Sequence, residues 1–364
     1  MKKNLFGFDF SHFKGDLFGG ITAGIVALPL ALAFGLQSGM GAAAGLYGAI
    51  FISFFAALFG GTNTQISGPT APMTAVSMVV IAGIVAANEG NLEKALPAIL
   101  IVFILSGLIQ IVLGVIKVGK YIRYIPYPVV SGFMTGIGVI ILITQLLPML
   151  GYYPKEDMSF VEEFKPQAEE VLLERILRDE ANEDILVLED FEATVQRAGT
   201  ITQEEILEES KALAGTAAAG VKGSLRVLGQ AIQNINYTDL ILGLITIFII
   251  YGFKRITTKI PSTLVALLLV SAGAYFFAPG YRNIGLIPSG FPVFQTSIFS
   301  GFNPGQITPY LFTAVSLALL GAIDSLLTSI VADNMTKTKH NPNQELVGQG
   351  IGNTVAGFFG GIPG

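Results

Sequence analysis

The chain alternates long apolar runs with short polar connections. Nine runs are predicted as membrane-spanning helices: 17–36, 42–59, 69–87, 96–116, 128–150, 238–253, 261–279, 309–332 and 345–360. Several fall short of the roughly 20 residues that a straight span needs, so tilted or broken spans are expected among them. One long polar region, 155–236, interrupts the series. Within it the spacing predicts a helix over 160–182, with Leu172, Leu173, Ile176 and Leu177 on one side. A second helix is predicted to start near Thr202, where Thr202-Gln203-Glu204-Glu205 fits a capping box, and a third to cover 224–233. A small helical insertion and a solvated acidic linker both accommodate this composition.

Composition agrees with a membrane protein: hydrophobic residues make up 52%, charged residues 13%, and mean hydropathy is +0.64. Cysteine is absent, which excludes disulfides and thiol chemistry, and two histidines leave little room for a His-built metal site. Charge is unevenly spread. Region 155–236 holds 18 acids and 8 bases, whereas the rest of the chain is net positive. With the N-terminus in the cytoplasm, Lys2, Lys3, Lys14, Lys117, Lys120, Arg123, Lys254, Arg255, Lys259, Lys337 and Lys339 all fall inside. Only Lys94 and Arg282 fall in short outer loops. The same parity places 155–236 outside a plasma (inner) membrane and reads the first apolar run as a retained span. The expected organisation is spans 1–5 over 1–154, the external insertion over 155–236, and spans 6–9 with the start of a tenth over 237–364.

Two features carry candidate chemistry. Asp324 lies in the middle of an apolar run, where a charge costs about 2.5–3.5 kcal/mol on insertion scales and marks a functional candidate. Thr328, four residues on, shares its helix face and adds an oxygen. The pair could hold Na⁺, or Asp324 could carry a proton. The second feature is the uncharged break Gly60–Pro72, rich in small residues. Irregular backbone at membrane depth must be buried in protein or line a watery cavity. A half-helix starting at Pro69 would aim free N–H groups at a small anion there; an ordinary cytoplasmic turn is the alternative. Phe358–Gly364 looks like the approach to another such break, and a pair of interrupted segments points to a transporter site between inverted repeats. No phosphate loop, zinc motif or nucleophile constellation argues for an enzyme, and the scattered basic residues form no nucleic-acid stripe.

At these motifs the chain resembles the SulP family of anion transporters. The resemblance rests on Ala44–Ala49, Gly60–Pro72, Tyr127–Gly138, Ile284–Pro292, Gly321–Asn334 and Lys339–Asn353. Within the family it is most similar to the BicA-type, sodium-dependent bicarbonate transporters. The resemblance implies an all-α polytopic membrane fold, part of a seven-plus-seven inverted repeat with spans 3 and 10 broken and a core moving against a gate. Thr70 and Ala71, flanked by Gly68 and Pro69, would contact bicarbonate. Asp324 and Thr328 would bind Na⁺ as coupling ion, with no other cofactor and a homodimer in the full-length protein. Sulfate or another oxyanion, coupled to H⁺, is the nearest rival substrate; an anion channel and a membrane scaffold are rival classes. Gly364 stands where the tenth element is expected to begin. The remaining spans and the family's STAS domain would follow it, so the chain is expected to be C-terminally truncated and not to transport alone.

Overall fold

The computed structural model describes residues 12–88, 91–122, 127–182, 201–257, 260–277, 281, 287, 290–300 and 310–364. Lys2, Lys3, Arg123, Lys259, Arg282 and part of the 284–292 segment therefore lie outside the described residues. Among the described residues the secondary structure is helical throughout. The principal helices are α1 (Phe13–Ser38), α2 (Ala42–Phe59), α3 (Ala71–Ala87), α4 (Leu92–Val115), α5 (Tyr127–Met149) and α6 (Lys165–Asn182). They continue with α7 (Gln203–Ala217), α8 (Gly220–Gln233), α9 (Tyr237–Ile256), α10 (Ser262–Phe277), α11 (Leu311–Thr336) and α12 (Pro342–Phe358). Each predicted apolar run is thus a helix. α1, α2, α4 and α11 are long and apolar enough to cross a membrane. α3 and α10 are apolar but shorter, as a broken span would be.

The helix ends follow local chemistry. α1 stops at Gly39, whose φ of 88° suits glycine and whose N–H returns to Leu36 O at 3.1 Å. Asn341 caps α12 by accepting the Gln344 N–H, and Pro342 opens its first turn, where a missing N–H costs nothing.

The contacts divide the chain into two compact units. The first takes in the described residues up to Ser77, 100–131 and from Ile241 onward. Its centre is α12, packed between α2 and α4 at backbone distance. A Cβ at Gly350 would stand 2.6 Å from Gly107 O, and one at Gly348 would stand 2.5 Å from Gly60 N. Such close seams are how helices associate where lipid removes the hydrophobic drive. Leu346 is buried against Ala322 and Leu326 of α11.

The second unit takes in 78–99 and 132–240. Its acidic part folds around Leu147, Tyr152, Phe160, Val161, Phe164, Ala214, Ala218, Val227 and Ala231. The Thr202 capping box forms as the spacing predicts, with Glu205 and Thr202 each bonding the other's backbone N–H. Asp157 caps the turn Met158–Glu162 by accepting from Ser159 N at 3.1 Å and Phe160 N at 3.3 Å, and it also accepts the Tyr152 hydroxyl at 2.7 Å. Burial works against the Asp157 charge. The donors of Ser159, Tyr152 and the Phe160 backbone outweigh it and hold the carboxyl below its usual range.

Two outcomes are expected. Gly350→Leu overfills the α4–α12 seam and destabilises the first unit by about 1–3 kcal/mol, read as an earlier thermal melt in detergent. Asp157→Ala costs about 1 kcal/mol at pH 7. Because the folded carboxyl sits below its unfolded value, its contribution is present above roughly pH 4 and fades as pH falls through the folded value. Denaturation followed by circular dichroism should therefore show the gap between wild type and variant narrowing at pH 3; an unchanged gap would contradict the cap.

Candidate functional site

The site is built where α2 stops. Between Phe59 and Ala71 the backbone is irregular, and several of its polar groups, main-chain and side-chain, are paired by groups of the neighbouring helices. Gly61 N–H donates to Glu345 Oε2 at 2.8 Å, and Gly61 O accepts from Asn341 N at 2.9 Å. Ser329 of α11 donates to Gln65 Oε1 at 2.6 Å and pairs with the Thr62 hydroxyl at 2.8 Å. Ser53 donates to Ser67 O, and Gln349 donates to Ser67 Oγ. Asn63 and Thr64 are exposed. They line an open groove of about 800 Å³ with Asp16, Ala49 and Ser53. The lining of that groove includes neither Thr70 nor Asp324.

α3 begins at Ala71, two residues later than the sequence reading placed it. Pro72 takes the early helical position expected of Pro69, whose ring instead packs toward Gly48. Thr70 precedes the helix, with its carbonyl accepting Thr74 N–H at 2.9 Å. The first-turn N–H groups of α3 are left without intrahelical partners. Thr70 Oγ1 is buried and has no hydrogen-bond partner. The Asp324 carboxyl faces it from α11 without closing a well-formed hydrogen bond. Asp324 is 8% exposed. Thr328, one turn on, is exposed, so the two proposed cation ligands do not share one environment.

Residues 359–364 leave α12 as irregular backbone and return to the first break. Ile362 N–H donates to Ala44 O at 3.1 Å. The backbone of Gly364 lies against Gly68 and Pro69, so closely that a Cβ there would meet Gly68 O. The structure thus brings together Gly68, Pro69, Thr70, Ala71 and Asp324, with the Gly364 backbone against the first two.

Sequence reasoning singled out Asp324 as the carboxylate deep in an apolar segment and passed over Glu345. That residue sits at the start of its run yet is only 2% exposed. It also missed Gln110, Ser329, Gln349 and Asn353, all buried. The i, i+4, i+8 recurrence of Glu345, Gln349 and Asn353 is the signal that could have found three of them.

Comparison with known proteins identifies the family and the fold. The Sulfate permease family profile matches residues 13–172 and 206–364, and the stretch between the two matches falls within the acidic region. The "Bicarbonate transporter BicA" of Synechocystis sp. is 39% identical over 98% of this chain and 51% of its own length. The protein of the same name from Picosynechococcus sp. is 38% identical over 98% of this chain and 52% of its own. The solved transmembrane domain of a cyanobacterial BicA superposes with a TM-score of 0.73 at 39% identity, covering 98% of this chain and 74% of that one. The chain spans about half the length of the curated relatives it matches.

Proposed function

Because this chain belongs to the sulfate permease family of membrane anion transporters, we propose that it carries the substrate site of a secondary transporter that takes up bicarbonate together with Na⁺. The observation that carries the reading is the buried, unpartnered Thr70 hydroxyl at the start of α3, facing the buried Asp324. Bicarbonate is accepted by Thr70 and by the free N–H groups at Ala71, with Gly68 and Pro69 shaping the approach. The names of the two relatives favour bicarbonate; the family description favours sulfate as the second reading.

The cation follows from charge. An ionised Asp324 beside Thr70 repels an anion: two unit charges about 5 Å apart repel by about 3 kcal/mol at an effective dielectric near 20. A Na⁺ ion on Asp324 removes that repulsion, so each ion favours the other's binding, which is the thermodynamic core of symport. Thr328 is the second ligand in this reading, and its exposure makes it the lesser contributor. The site is exposed alternately by a core moving against a gate. The N-terminus is cytoplasmic and the acidic region external to the plasma (inner) membrane, as the lysine distribution supports, and the protein assembles as a homodimer.

The test uses the purified chain in detergent. Bicarbonate should raise the melting temperature in NaCl and fail to do so in choline chloride, with a gain of about 2.7 kcal/mol at a hundred times Kd. Asp324→Asn should abolish the Na⁺ dependence, and Thr328→Ala should weaken it less. A bicarbonate shift equal in both salts and retained by Asp324→Asn would sink the cation assignment. A larger, Na⁺-independent shift with sulfate would move the assignment to the second reading.

A further inference from the structure

Three polar side chains meet the broken backbone from one face of α12, and the transport reading above uses none of them. Glu345, Gln349 and Asn353 recur every four residues. They are 2%, 2% and 0% exposed. Two of them bond the irregular backbone directly, and the third bonds a side chain carried on it. Glu345 accepts Gly61 N–H at 2.8 Å, at the start of the first break. Gln349 donates to Ser67 Oγ, three residues before Thr70, and to Glu345 Oε1 at 3.2 Å, so the two act as one unit. Asn353 grips the backbone of Gly364 twice. Its Oδ1 accepts the Gly364 N–H at 2.9 Å, and its Nδ2 donates to Gly364 O at 3.0 Å.

Asn353 is itself held. Its Nδ2 also donates to Gln110 Oε1 at 2.8 Å, and Gln110 Nε2 reaches Ala318 O of α11 at 3.4 Å. Gln110 is fully buried on α4. One helix face therefore ties together the first break, residue 364 and, through Gln110, the helix that carries Asp324. An apolar face would pack α12 with no unpaired groups of its own to satisfy, so three buried polar side chains need a reason beyond packing.

We propose that Glu345, Gln349 and Asn353 are positioning residues that form a clamp. The clamp fixes the distance between Thr70 and the 359–364 segment, and so sets the size of the anion the site accepts. The inference rests on the anion-binding reading of Thr70. Gly364 already abuts Gly68 and Pro69, so releasing either segment widens the gap. A wider gap loses contacts to a small planar anion and tolerates a larger tetrahedral one.

The experiment combines hydrogen exchange with melting-temperature titrations of sodium bicarbonate and sodium sulfate on the purified chain. Variants are Gln349→Ala, Asn353→Ala and Asn353→Asp, the last keeping an acceptor for Gly364 N–H. Exchange should rise severalfold over 61–70 in Gln349→Ala and over 360–364 in Asn353→Ala. Apparent bicarbonate affinity should fall at least tenfold in both alanine variants and by an intermediate factor in Asn353→Asp, with sulfate affected less. Unchanged exchange overturns the clamp. So does a lowered melting temperature with anion affinity and the bicarbonate-to-sulfate ratio unchanged, because a purely structural role predicts that pattern. If Asn353→Ala does not fold, Gln349→Ala and Asn353→Asp decide the same question. A wild-type chain that binds no bicarbonate refutes the transport reading, and the exchange data then decide the clamp alone.

Discussion

Backbone that leaves the helix inside an apolar protein must find partners for every N–H and C=O, because no lipid group can supply them. Much else in this structure depends on that constraint. The segment between α2 and α3 keeps its irregular course because Ser53, Asn341 and Glu345 bond its main chain, while Ser329 and Gln349 hold its side chains. Thr70 stands apart from that pairing. Its hydroxyl is buried with no partner, as are those of Thr74 and Ser77 further along α3. Among them Thr70 is the one that opens the helix, where a ligand's atoms would complete the set.

The pairing in turn requires close approach. Side chains as short as Ser53 or Asn353 can reach broken backbone only if the helices that carry them nearly touch it. The glycines of α12 provide that proximity. Gly348 lies against Gly60, Gly352 against Ile52 and Gly350 against Gly107. Apolar small residues and buried polar residues alternate along one helix, each kind making the other's placement workable.

This explains what was legible in the amino-acid order. The apolar runs each became a helix, because membrane length and hydrophobicity are summed over many residues and tolerate local error. The Thr202 capping box was legible because it is local. The break at Gly60–Pro72 showed itself through composition, and Asp324 through its cost. The clamp residues were not legible in the same way. Glu345 lies at a helix start, where an acid is ordinary, and its burial comes from Gly60 and Gly61, nearly three hundred positions away in the chain. The exposure of Thr328 was not legible for the converse reason. Sharing a face with Asp324 fixes an angle of about 40° around the helix, and the protein's surface passes between the two. The start of α3 slipped by two residues because either Pro69 or Pro72 could have opened it.

Many of the bonds that shape the site are made to main-chain atoms: Gly61 N–H and C=O, Ser67 C=O, and both polar groups of Gly364. A frame anchored on the main chain is indifferent to most of the side chains it carries. Positions such as Ile66 and Ala71 can therefore be exchanged without rebuilding the frame. Lineages descending from one ancestral scaffold would be free to try new anions by single replacements, with the architecture inherited and the selectivity renegotiated.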